Sequence, residues 1–208
     1  LEESGVSLNI ASFLGAATTR ILEVGYENRQ ANSSEMDRMR SHVENSMKEG
    51  AMGIGSSLIY APGDYASTEE LTELSKVASD YGGMYISHLR SEGTNLLEAL
   101  EELISISRDA NIPAEIYHLK ASREPNWSKL DEVIKRVEEV RGGGLKITAD
   151  IYTYNASSTG LTGVIPTWVQ EGGHSAWIER MRDPEVRPRL LKDIREQLDE
   201  QPPEGILM

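Results

Sequence analysis

Residues 84–90 read Met-Tyr-Ile-Ser-His-Leu-Arg, and residues 114–120 read Ala-Glu-Ile-Tyr-His-Leu-Lys. Each is a short run of strand-forming residues that reaches a His and carries a cation two places further on. His88 and His118 are 30 residues apart, about the length of one strand–helix unit. Between them lies a stretch from Asn95 to Ala110 with Leu97, Leu100, Ile104 and Ser107 on one side, which reads as a helix. Strand, helix, strand with a matched ending is the unit from which the fold follows.

The same alternation extends in both directions. Strands are expected at 8–14, 51–58, 84–88, 113–118 and 145–151. A helix is expected over 34–49, with Met36, Met39, Val43 and Met47 as its apolar stripe and Gly50 as its stop. Ser67 with Glu70 has the spacing of a capping box and opens a helix through Leu71, Leu74, Val77, Ala78 and Tyr81. Ser128 with Asp131 opens another through Leu130, Val133, Ile134, Val137 and Val140, ended by three glycines at 142–144. A last helix is expected over 184–201, through Val186, Leu190, Leu191, Ile194 and Leu198.

Regular alternation of this kind makes a parallel sheet. An open dinucleotide-binding sheet would show a glycine-rich phosphate loop between its first strand and helix. The segment 12–17 has one glycine, and Gly50-Ala-Met-Gly-Ile-Gly55 runs into a strand rather than out of one. A partial (β/α)8 barrel is the expected architecture. A complete barrel typically takes about 250 residues, so 208 residues with five strands leave about three strands to be supplied. The chain starts at Leu1 rather than Met, shows no signal-peptide pattern, and ends on the apolar run Gly205-Ile-Leu-Met208. The expectation is a segment of a longer protein.

Composition narrows the partners. Hydrophobic residues make up 38% and charged residues 26%, as in a globular domain. The net charge is −13 and no Lys/Arg cluster stands out, which argues against nucleic acid and anionic membrane as partners. No apolar run approaches the roughly 20 residues needed to span a bilayer. There is no Cys, so disulfides and thiolate chemistry are excluded within these residues.

In a (β/α)8 barrel the chemistry sits at the C-terminal ends of the strands. Those ends carry His88 with Arg90, His118 with Lys120, and Asp150 with Tyr152 and Tyr154. Neighbouring strands lie about 4.8 Å apart, so histidines at equivalent heights on consecutive strands can reach one metal ion. A single strand-end His is more often a core residue; two in register, each followed by a cation, bring a ligand role level with that reading. His42 reads as a surface residue of a helix, and His174 as part of a helix start. Asp150 suits either a ligand oxygen or a carboxylate that orients a His. Catalytic zinc needs three protein ligands and an open position, so two histidines do not complete a site.

Four stretches together resemble the N-acyl-D-amino-acid deacylases (D-aminoacylases) of the amidohydrolase superfamily: Gly50–Leu71, Gly82–Arg90, Ile116–Lys120 and Thr148–Thr159. The resemblance runs from about residue 8 to the end. It implies a metal-dependent hydrolase cleaving the amide bond of N-acyl-D-amino acids, with one or two zinc ions, on a barrel accompanied by a small β domain. It assigns the chain to about the third to seventh barrel strands, with the first strands, the last strand and the small domain outside it. His88 and His118 match the family's metal ligands on the fifth and sixth strands. Tyr60, Lys120, Tyr152 and Ser158 fall where the family binds the substrate α-carboxylate, and Arg90 is a further substrate-binding candidate, or a structural ion pair. The family's first-strand H-x-H pair, bridging Cys and proton-shuttling Asp have no counterpart in this sequence. Many relatives carry Gly-His-x-x-Leu-Arg where this chain reads Gly15-Ala-Ala-Thr-Thr-Arg20.

Cyclic-amide hydrolysis of the dihydroorotase or hydantoinase type, and a non-catalytic barrel used for binding, are the competing readings. The segment alone is expected to be inactive, to associate with itself through open sheet edges, and to come from a cytoplasmic protein.

Overall fold

The computed structural model describes residue 3, residues 5–154 and residues 156–200, with the backbone alone at 161, 199 and 200. The apolar run 205–208 and the expected last helical residue, Gln201, lie outside the described residues.

Five strands form one parallel sheet in chain order: β1 (Leu14–Gly15), β2 (Gly53–Ser57), β3 (Met84–His88), β4 (Ala114–Ile116) and β5 (Ile147–Ala149). Helices α1 (Ala16–Glu23), α2 (Ser33–Lys48), α3 (Thr68–Asp80), α4 (Leu96–Asp109) and α5 (Lys129–Gly142) fill the connections. A doubly wound sheet reverses its strand order at a switch point. This one never does, so it is an arc of a (β/α)8 barrel. Three further helices, α6 (Thr167–Gln170), α7 (Gly173–Arg182) and α8 (Arg187–Glu200), follow the arc.

The two faces of the sheet differ in the way an arc requires. Residues facing the helices are buried: Ile54, Tyr85, Ala114, Ile116 and Ile147. Of the residues of the opposite parity, which face the barrel interior, Gly55, Met84, Ile86 and Glu115 are half-buried and Thr148 is exposed, while Gly53 and His88 are buried. The core therefore lies between sheet and helices. Met39 and Val43 of α2, Leu71 and Leu74 of α3 and Leu100, Leu103 and Ile104 of α4 fill it. At roughly 1.5–3 kcal/mol per fully buried aliphatic side chain, this layer holds the arc together.

Gly53 explains one glycine of the 50–55 run. It has φ +146°, and a Cβ there would lie 1.9 Å from the carbonyl oxygen of Met84. The run serves close approach of β2 to β3, not a phosphate.

Several boundaries depart from the sequence reading. Residues 8–13 are not a strand: Leu8 and Ile10 are exposed, and only Leu14 and Gly15 pair with β2. This segment is the sheet's edge, with no strand on its outer side among the described residues to satisfy a second row of backbone groups. Helix α1 was not expected, because its eight residues are too few to show a clear period. The expected strand 145–151 shortens to the three residues Ile147–Ala149. In α5 only Val133 is buried and Ile134 is exposed; as the last helix over the sheet, α5 is covered on one flank only. Tyr81, expected in the α3 stripe, is exposed and donates to Glu44.

The capping box at Ser67 is half made. Ser67 Oγ accepts from the Glu70 backbone N–H at 3.1 Å, but the Glu70 carboxylate pairs with Arg20 at 2.6 Å instead of returning to the cap. Arg20 and Glu70 are 1% and 3% exposed, and Arg20 also donates to the carbonyls of Glu27 and Arg29. A complete box forms where none was read, at Asn32 and Glu35 of α2. Ser128 makes no side-chain cap at all.

Candidate metal centre

β3 delivers His88 at its last residue, on the interior-facing parity of Met84 and Ile86. The ladder pairs Ser87 with Ile116, so one step further His88 stands opposite Tyr117, not His118. The equal height inferred from the 30-residue spacing is therefore off by one residue. The strand's alternation would send His118 toward the helices. His118 instead adopts φ +41°, a left-handed conformation uncommon for a residue with a side chain. Its imidazole thereby meets that of His88, with ring centroids 4.4 Å apart.

Asp150 fixes this turn. Its carboxylate accepts a short hydrogen bond from the His118 backbone N–H, its carbonyl accepts from Leu119 at 2.8 Å, and its own N–H donates to Ile116 at 3.2 Å. Of the two roles the sequence left open for Asp150, the geometry gives it the positioning of His118.

A third group joins the histidines. Glu92 Oε1 lies 3.0 Å from His88 Nδ1, 3.1 Å from His118 Nδ1 and 2.6 Å from Lys120 Nζ. The loop holding it is tied down by Ser122, whose N–H donates to the Glu92 carbonyl at 2.7 Å. Glu92 was missed in the sequence. It lies beyond the strand on a loop of its own, four residues after His88, and no spacing rule for a strand points to it.

His88, Glu92 and His118 offer ligand atoms all within 4.8 Å of one another, the one such group among the described residues. Two imidazoles and a carboxylate are donors suited to zinc and similar divalent ions. His88 is 7% exposed, and its Nδ1, although close to Glu92, makes no hydrogen bond. A buried nitrogen left without a partner costs free energy, and a cation would relieve that cost. The residues fit a metal.

The electrostatics are those of a compact mixed cluster. Burial pushes the Glu92 carboxyl up, but His88 and Lys120 outweigh it and hold it below its ordinary value. Burial lowers the His118 imidazole, and the neighbouring Lys120 and His88 charges lower it further. Lys120 Nζ also lies 2.7 Å from His118 Nδ1 and 5.3 Å from the centre of the Tyr152 ring.

The remaining candidates divide. Tyr60 stacks against His88 with centroids 5.8 Å apart, and its hydroxyl pairs with Thr159 Oγ1 at 2.7 Å. Tyr152 lies 6.2 Å from the His118 ring. Ser158 is exposed on the loop beside Thr159. Of the two roles left open for Arg90, the structure shows the ion pair: it donates to both oxygens of Glu102 at 2.8 Å and to the carbonyls of Asp64 and Ala66. Burial works against the Arg90 charge, but Glu102 holds its pKa above the usual value. His42 pairs with Glu23 on the surface, and His174 is the second residue of α7, as their settings in the sequence implied. No helix among the described residues is long and apolar enough to cross a membrane.

No family model matches the sequence. The D-aminoacylase of Alcaligenes xylosoxydans xylosoxydans is 33% identical over 161 residues, 77% of this chain and 33% of that protein. An N-acyl-D-glutamate deacylase of the same organism is 29% identical over 76% of this chain and 33% of its own length. Among solved structures, the N-acyl-D-glutamate deacylase of Bordetella bronchiseptica, in complex with zinc and a phosphonate mimic of the tetrahedral intermediate, aligns with TM-score 0.72 and 26% identity. That alignment covers 74% of this chain and 32% of that one. A D-aminoacylase crystal structure aligns with TM-score 0.68 and 30% identity over 71% of this chain and 31% of its own. The chain thus spans about a third of the length of the relatives it matches. Over that span it belongs to the N-acyl-D-amino-acid deacylase (D-aminoacylase) family.

Proposed function

We propose that the protein carrying this chain hydrolyses the amide bond of N-acyl-D-amino acids, releasing a carboxylate and a free D-amino acid, with zinc as its metal. The observation that carries this reading is the convergence of His88 and His118 at the mouth of the arc, with Lys120 beside them. The family relationship supports it.

His88 and His118 would hold the metal together with ligands from the strands outside this chain. A metal so held supplies Lewis-acid polarisation of the amide carbonyl and a water of lowered pKa. Asp150 keeps His118 turned toward His88. Lys120 supplies the cation, and Tyr60, Tyr152 and Ser158 the hydroxyls, that suit the α-carboxylate through charge-assisted hydrogen bonds. Arg90, held by Glu102, braces the loop at Asp64 and Ala66. The proton shuttle for the leaving amine lies outside these residues, as do the remaining barrel strands and the small β domain, so the segment alone is inactive.

The test is turnover of N-acetyl-D-amino acids by the full-length protein and its His118→Ala variant. The variant should lose bound metal and activity together. Turnover at the unmodified rate by His118→Ala contradicts the assignment.

A further inference from the structure

Helix α5 opens against local preference. Ser128 makes no side-chain cap, and the first helical residue is Lys129, a cation at the end of a helix that disfavours positive charge. The Lys129 ammonium is used on the neighbouring loop instead. Its Nζ donates to the carbonyls of Thr94 at 2.6 Å and Gly93 at 3.3 Å and to Asn126 Oδ1 at 2.8 Å. An ammonium has three donors, and all three are spent here.

Asn126 extends the arrangement. It is 7% exposed. With Oδ1 accepting from Lys129, its Nδ2 donates to the Ser122 carbonyl at 2.8 Å. Ser122 in turn donates through its N–H to the Glu92 carbonyl at 2.7 Å and through Oγ to Glu92 Oε2 at 3.4 Å. Lys129 therefore reaches the Glu92 loop twice, directly at Gly93 and Thr94 and indirectly through Asn126 and Ser122. The two routes close a brace between the loop after β3 and the loop after β4. The brace ends on Lys120, whose Nζ donates to Glu92 Oε1 at 2.6 Å.

We propose that Lys129 and Asn126 are positioning residues for substrate recognition: they fix Glu92, and Glu92 fixes the Lys120 ammonium for the substrate α-carboxylate. This rests on the substrate-binding role given to Lys120 above. It adds two residues that touch no substrate themselves.

The reason for a brace lies in the chemistry of lysine. Its charge sits at the end of a flexible four-carbon stem. An ammonium free to wander must be ordered when the substrate binds, and that ordering costs affinity. Glu92 prevents the wandering only if its own carboxylate is held. One of its oxygens accepts from Lys120 and the other from Ser122, so the carboxylate cannot turn without loosening both. Its main chain is held by Ser122, and the next two carbonyls by Lys129.

A brace that only stabilised the fold would, when cut, lower the amount of active protein and leave KM where it was. A brace that acts through Lys120 is read in KM, with kcat and bound zinc unchanged, because the carboxylate contact is made in ground state and transition state alike. It also has no further effect once Lys120 is gone.

The test uses the full-length zinc-loaded protein and an N-acetyl-D-amino acid. KM, kcat and zinc content are measured for Lys129→Met, for Asn126→Asp, for Lys120→Met, and for each of the first two combined with Lys120→Met. Asn126→Asp is isosteric and still accepts from Lys129 but cannot donate to the Ser122 carbonyl, so it cuts the indirect route with little risk to folding. Lys120→Met should raise KM about tenfold or more. Lys129→Met and Asn126→Asp should each raise it roughly threefold or more, at unchanged kcat and zinc content, and neither should add to Lys120→Met. KM unmoved in both brace variants, or raised as much on the Lys120→Met background as without it, overturns the positioning role and leaves the functional reading standing. No turnover by the unmodified protein, or an unmoved KM in Lys120→Met, overturns both.

Discussion

His118 meets His88 across 4.4 Å between ring centroids although Tyr117, not His118, continues the ladder opposite His88. One left-handed residue reverses the side that strand alternation would assign, and the Asp150 carboxylate on the His118 backbone N–H holds that residue in place.

Asp150→Ala therefore acts on the metal site without touching a ligand. It removes the acceptor that fixes the turn, and the His118 ring loses its fixed place beside His88. Zn2+ affinity of the full-length protein, measured by calorimetry, should fall by about an order of magnitude while the far-ultraviolet circular dichroism is kept. Undiminished affinity would show that the turn holds without Asp150.

Arg90→Ala should chiefly destabilise. The substitution strands Glu102 at the sheet–helix boundary and frees two carbonyls. Breaking a half-buried pair of this kind costs about 1–3 kcal/mol, between a surface and a buried pair. Urea unfolding of the chain should show a much lower midpoint at unchanged slope. A midpoint within error of the unmodified chain would mean that Arg90 is free for a substrate role after all.

The complete capping box gives a pH dependence with a defined sign. The Arg29 pair, with the Asn32 backbone bond, holds the Glu35 carboxyl down at about 2. Glu35 is about 4.5 when unperturbed, so its contribution to stability is fully present above that value. It fades as pH falls from about 4.5 toward 2. Glu35→Gln should unfold more readily than the unmodified chain at pH 7, and the gap should close on acidification across that window. A gap that is independent of pH would remove the carboxylate from the account.

Sheet edges lead to an expectation about association. β1 and β5 both end the sheet, and Ile151 and Tyr154 are exposed just past β5. Unpaired backbone groups beside exposed apolar side chains favour strand pairing between copies. Light scattering on the 208-residue chain should show concentration-dependent association. A monomer at every accessible concentration would contradict this.

What the sequence made legible follows from range. Period and capping chemistry are local, so α2, α3, α4 and the five-strand order could be read from apolar stripes such as Met39–Val43–Met47. His88 and His118 were legible because each ends a recognisable strand. Glu92 was not, because its place in the cluster depends on a loop folding back over the strand ends, with Ser122 from the next unit tying it down. Arg20–Glu70 stayed hidden for a related reason: the partners are 50 residues apart, and the same Glu70 offers a local cap that fits the pattern equally well. The one-residue offset between Tyr117 and His118 needed the ladder itself.

The central claim is a metal held by His88 and His118. Its most direct test is anomalous diffraction at the zinc edge from crystals of the protein grown with zinc. A single strong anomalous peak within coordinating distance of both imidazoles is the expected result. Zinc bound elsewhere, with these two rings free of any peak, would contradict it.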